Sequence, residues 1–138
     1  MKEIYEKWYP LGEDFPLLIY EGMESIFAGS LKIFFRQARN DKHVHGKKVV
    51  VEFEFHPISY RLSDESCRNR TLLALPELPE LIDTSFFISN CSYFLSDFYS
   101  DAGIVYENVE FEHLLIVTSN DMFDFILDER PNVYIIDL

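Results

Sequence analysis

Cysteine is scarce in this 138-residue chain, with Cys67 and Cys91 standing far apart and matching no C-x-x-C spacing. That excludes a disulfide framework on pattern grounds and suits a reducing compartment. Glycine and proline are also few, which argues against disorder. Long apolar runs are missing. The longest early one, Leu17 to Tyr20, is far too short to span a bilayer, and residues 1–15 have no apolar signal-type region. A soluble, cytoplasmic protein without a membrane partner is expected, with export lacking a recognisable signal left open.

Basic charge is almost missing from the second half. Residues 71–138 hold only Arg130 against thirteen acids, whereas residues 1–70 hold eleven Lys/Arg and eleven Asp/Glu. The net charge of −12 therefore arises entirely in the second half. Such a field repels nucleic acid and anionic membranes and attracts basic partners. It also keeps a Phe-rich chain soluble. The basic residues Lys32, Arg36, Arg39, Lys42, Lys47 and Lys48 fall on one expected hairpin, where lysines discourage edge-to-edge pairing.

Catalytic patterns are missing too. There is no G-x-S-x-G, phosphate-cradling glycine loop or dinucleotide fingerprint. His43 and His45 form H-x-H, but His56 and His113 are the only other histidines, too few to complete a patterned metal site. Cys67, beside Arg68 and Arg70, lacks a nearby base, and Cys91 falls on an apolar stripe. Glu52 and Glu54 read as a solvated strand face. Neither a cofactor, a metal nor a catalytic residue is expected, and the chain reads as a non-enzyme.

What is abundant is aromatic surface: thirteen Phe and eight Tyr, enough to fill a core. The stretch Lys47 to Arg61 organises the rest. Val49, Val51, Phe53 and Phe55 fall on one side of an extended backbone, and Val50, Glu52, Glu54 and His56 on the other. That alternation predicts a strand over Lys48–His56, ended by Pro57. Leu31–Arg36 should pair with it as an antiparallel hairpin across the polar loop Asn40–Gly46. Leu17–Tyr20, Phe86–Ile88, Phe111–Thr118 and Val133–Ile136 read as further strands, and Ile58–Leu62 as a continuation past Pro57. Residues 1–16 read as an irregular or partly helical lead-in with Trp8 packed down. Proline recurs in LPELPEL, so residues 71–82 read as a connector. Leu114–Val117 is continuously apolar, as befits a strand covered on both faces.

Two helices are expected. Cys91, Phe94, Leu95 and Phe98 give an apolar stripe over Ser89–Asp101, capped by Ser89 or Asn90 and ended by Gly103. A second helix is read over Ser119–Glu129, stopped by Pro131. The sum is an α+β fold in one domain: a mostly antiparallel sheet with two or three packed helices and a C-terminal strand–helix–strand unit, an antiparallel return staying open.

The acids mark the expected binding residues. Asp121, Asp124 and Asp128 would share one face of the second helix. Glu107, Glu110 and Glu112 precede the adjoining strand, and Asp97 and Asp101 lie on the first helix. Together they would form an anionic surface rimmed by Tyr93, Tyr99 and Tyr106, in the manner of binding surfaces.

The segments ISYRLSDESCRNR (58–70), SNCSYFLSDFYSDAGI (89–104) and HLLIVTSNDMFDFILDERPNV (113–133) resemble bacterial immunity proteins that neutralise polymorphic or contact-dependent toxins. They cover about a third of the chain. The resemblance implies tight binding of a cognate toxin, commonly a basic nuclease-type domain, as a monomer that forms a heterodimer. An acidic adaptor, a nucleic-acid-mimicking inhibitor and a small enzyme remain the alternative readings.

Overall fold

The structure, a computed structural model, describes residues 1–12, 14–15, 18–26, 29–38, 47–77 and 83–136. The expected loop Asn40–Gly46, with Arg39, Lys42, His43 and His45, lies outside these residues, as do residues 78–82 of the expected connector.

Among the described residues, nine strands form two antiparallel sheets. β1 (Ile4–Trp8), β5 (Ser59–Asp64), β6 (Phe86–Cys91), β7 (Glu112–Val117) and β8 (Asp121–Leu127) make one, in the order β1-β6-β7-β8-β5. β2 (Leu18–Ser25), β3 (Leu31–Gln37), β4 (Lys48–Phe53) and β9 (Asn132–Ile136) make the other, in the order β2-β3-β4-β9. The sheets share one core. Leu31, Ile33, Phe35, Val49, Val51 and Phe53 from the four-stranded sheet meet Phe86, Leu114, Ile116, Phe123, Phe125 and Leu127 from the five-stranded one. The Phe35 and Phe123 rings meet edge to face at 5.4 Å between centroids, a favoured arrangement of aromatic quadrupoles.

The expected hairpin is present. β3 and β4 pair antiparallel from Leu31↔Phe53 to Arg36↔Lys48. Phe55, expected inside, is 69% exposed because the strand ends at Phe53. β7 lies between β6 and β8. Its Leu114 and Ile116 face the inter-sheet core, and Leu115 faces the other way.

Among the described residues, two helices cover that outer face of the five-stranded sheet. α1 (Asn69–Leu73) and the turn after it bring Leu72 and Leu75 onto Tyr5, Phe87, Leu115 and Met122. α2 (Tyr93–Ala102) brings Phe94, Leu95, Phe98 and Tyr99 onto Phe111 and Ile126.

Several expectations are corrected. The lead-in contains β1, paired with β6. Ile58–Leu62 gives β5, but in the five-stranded sheet rather than as a continuation of β4. The first helix starts at Tyr93, capped by Ser92 instead of Ser89 or Asn90. Ser89 instead belongs to the sheet, its hydroxyl bonding Ile4 O at 2.6 Å. Thr71–Leu73 is helix rather than connector. The second expected helix, Ser119–Glu129, is the strand β8. Its ladders run to both neighbours, Glu112↔Leu127 to Val117↔Met122 with β7 and Ser59↔Ile126 to Asp64↔Asp121 with β5. Ser119 and Asn120 are turn residues of a β7–β8 hairpin, closed by Thr118 N donating to Asp121 O at 2.9 Å. The C-terminal unit is thus three strands. β9 forms the edge of the other sheet, pairing with β4.

Candidate binding surface

The eight expected binding acids separate into three environments. Asp97 and Asp101 are exposed on α2, one helical turn apart. Glu107 and Glu110 are exposed in the segment that follows. Glu112 is half-buried and taken by Arg130, whose Nε and Nη2 both donate to its carboxylate at 2.9 Å. The Arg130 hydrogen bonds hold the Glu112 carboxyl below its ordinary value against a smaller opposing effect of burial.

The segment carrying Asp97, Asp101, Glu107 and Glu110 is built as one unit. Gly103 ends α2 at φ 64, a backbone angle that favours glycine. A single 3-10 turn, Gly103–Tyr106, follows. The Tyr99 hydroxyl then donates to Val109 O at 2.7 Å and accepts from Phe111 N at 2.9 Å, fastening the return to the helix. Tyr106 stacks on Phe98 at 5.8 Å, and Phe111 meets Phe98 edge-on at 5.6 Å. The turn therefore pushes its aliphatics outward, leaving Ile104 82% and Val105 72% exposed, with Val109 also exposed. Sequence reasoning missed these three. Their signal was GIVYENVE, an aliphatic pair placed just after a helix-ending glycine.

The expected tyrosine rim is corrected. Tyr99 and Tyr106 turn inward, and Tyr93 lies under the Arg70 guanidinium at 4.0 Å.

The acids of the expected second helix do not share a face. Asp121 is half-buried at the hairpin turn and Asp128 is exposed after β8. Asp128 lines a separate cleft of about 660 Å³ with Glu54, His56, Glu129 and Arg130. Asp124 is fully buried on the outer face of the sheet. Arg61 Nε reaches it at 3.0 Å, Arg68 Nη1 at 2.5 Å and His113 Nε2 at 2.6 Å. Burial pushes the Asp124 pKa up, but the hydrogen bonds and charges of His113 and Arg68 outweigh it and hold the carboxyl well below the carboxylate range. A carboxylate so enclosed is not available to a partner.

Beyond His113, Nδ1 lies 2.7 Å from Ser92 Oγ. Ser92, His113 and Asp124 thus follow the hydrogen-bond order by which hydrolases activate a serine. Here Ser92 is 1% exposed, and its oxygen already accepts from Leu95 N at the start of α2. No carbonyl carbon can approach it in this arrangement. What the chain of bonds does is fasten α2, β7, β8 and the Arg68 segment to one another.

The chain matches no protein-family model, no curated protein and no solved structure. No cluster of three or more His, Cys, Asp or Glu among the described residues could hold a metal. Cys67 is exposed, and Cys91 is half-buried with its thiol 3.3 Å from Lys2 O.

Proposed function

We propose that this is a non-catalytic cytoplasmic binding protein of the immunity type. It neutralises a basic toxin domain, of nuclease type, by docking it on the surface formed by residues 97–110. The observation that carries this reading is the exposure of Ile104 and Val105 between Asp97, Asp101, Glu107 and Glu110. An apolar centre with a polar rim is the ordinary anatomy of a protein interface, and a rim of one sign steers the opposite charge. The toxin class rests on the resemblance of residues 58–70, 89–104 and 113–133 to immunity proteins. The same negative field would disfavour nucleic acid as a direct partner.

The experiment is capture from the native host with the wild-type chain and with the double variant Ile104→Lys, Val105→Lys. The expected result is a basic chain that co-purifies with the wild type alone, is toxic when expressed by itself, and becomes harmless on co-expression. A captured chain that binds both forms equally, or is harmless alone, would overturn the reading.

A further inference from the structure

Away from that surface, β5 ends the five-stranded sheet, with no strand beyond it among the described residues. Its backbone groups alternate in direction. Glu65 N donates to Asn120 O at 3.0 Å, and these two residues stand opposite each other one step beyond Asp64↔Asp121. Hydrogen-bonded and non-bonded pairs alternate along an antiparallel ladder. Ser63 and Arg61 therefore turn their N–H and C=O toward β8, and Leu62 and Tyr60 turn theirs away from the sheet. The Tyr60 and Leu62 side chains lie on the inter-sheet side, opposite Phe125 and Phe123, and are 43% and 46% exposed.

An edge with outward backbone groups and exposed apolar side chains invites another strand. The other sheet edges carry features that discourage one. β1 holds Lys7 and its ladder shifts between Ile4 and Glu6, β2 shifts between Tyr20 and Gly22, and β9 starts directly after Pro131. β5 runs unbroken, without lysine or proline. Its one cation, Arg61, is drawn back to Asp124 on the outer face.

Charge selects the occupant. A net charge of −12 opposes self-association in general. Residues 58–70, however, hold three arginines against two acids, so copies can approach here. Two symmetric antiparallel registers would pair most of β5 with itself. One sets Arg61 against Arg61, and like charges directly opposite destabilise a pair. The other sets Leu62 against Leu62 and Tyr60 against Asp64, matching outward backbone groups with outward ones. It places Arg61 across from Ser63 and diagonal to Glu65 of the copy, an opposite charge.

We propose that β5 pairs with β5 of a second copy, centred on Leu62, so that the free protein is a homodimer rather than the monomer the resemblance implies. The two five-stranded sheets then run on as one across the two-fold axis.

Sedimentation equilibrium of the full chain across a concentration series tests this. The wild type should approach twice the 16.3 kDa of one chain. Leu62→Lys, at an exposed position, should stay folded by circular dichroism and weaken the dimer about tenfold or more. In a Cys67→Ser, Cys91→Ser background, Leu62→Cys should form a disulfide-linked dimer on mild oxidation, since facing residues of a bonded pair lie about 5.5 Å apart between Cα atoms. Tyr60→Cys should not, because its two copies would lie beyond disulfide reach. A wild-type chain still monomeric at about 1 mM would overturn the proposal and leave this edge to an extended segment of another protein. A dimer unmoved by Leu62→Lys, or one cross-linked equally well through Tyr60→Cys, would overturn it too. The wild-type mass and the cross-links decide the matter even if Leu62→Lys fails to fold.

Discussion

His113 Nε2 lies 2.6 Å from Asp124 Oδ1, with neither residue exposed to solvent. The pair sits on adjacent strands, and Arg61 and Arg68 close the remaining sides of the carboxylate. An ion cluster so enclosed adds less net stability than its contacts suggest, because desolvation opposes it. Removing one member is a different matter, since the others stay behind uncompensated.

Asp124→Ala should therefore lower the unfolding free energy by about 3–5 kcal/mol. The double variant Asp124→Leu, Arg68→Met should recover part of that loss. Urea unfolding followed by circular dichroism measures both. A single variant within about 0.5 kcal/mol of wild type, the range of ordinary surface changes, would show that the cluster is not enclosed in solution.

The titration of two buried groups sets opposite pH limits. Asp124 is held below its ordinary value, so its contribution is present above about pH 4 and is lost as pH falls toward the folded value. Burial, then the Glu3 hydrogen bond, push Tyr5 up. Its contribution is complete below about pH 10 and is lost as pH rises toward the folded value. Tyr5→Phe should flatten the alkaline limb and leave the acid limb in place. Urea midpoints across the pH range read both limbs, and an alkaline limb unchanged by Tyr5→Phe would assign it to another group.

Charge reversal should sort the acids by environment. Lysine at Asp97, Asp101, Glu107 and Glu110 should leave the chain folded, as surface substitutions usually do, while slowing association with a basic partner and weakening its salt dependence. Lysine at Asp124 should prevent folding, since it places a third cation between Arg61 and Arg68. Dichroism beside association kinetics at two salt concentrations tests both. Wild-type kinetics for the fourfold variant would remove residues 97–110 from the interface.

Truncation before Asn132 should expose the β4 edge and strip Val133 and Ile135 from the core. A fully buried aliphatic contributes ~1.5–3 kcal/mol and Ile135 is only partly buried, so the loss should be a few kcal/mol, a large share of a typical stability margin of about 5–15 kcal/mol. A melting temperature equal to wild type would contradict the β4–β9 pairing.

Much of the fold is legible where one strand face is apolar and the other polar, as in β3 and β4. It fades in β8, where Phe123, Phe125 and Leu127 fill one side and Met122 and Ile126 the other. Burial on both faces erases the alternation, and Asp121, Asp124 and Asp128 happen to fall at helical spacing. What decides the strand lies far away in the chain: the β5 ladder and the partners Arg61 and Arg68. The acids Asp97, Asp101, Glu107 and Glu110 are legible as surface. The exposure of Ile104 and Val105 is not, because it depends on where Gly103 breaks the helix and how Tyr99 ties the return.

Asp124 also has a bearing on how the strands find their alignment. A one-residue slip of β8 along β7 would turn every side chain to the opposite face. Asp124 would then point between the sheets, toward Phe35 and Phe53, away from both arginines and from His113. Phe123 and Phe125 would at the same time leave the aromatic layer. A strand apolar on both faces has little else to tell one alignment from its neighbour. The single carboxylate in the middle of β8 acts as an index mark, making the misaligned ladder cost an unpaired charge in hydrocarbon.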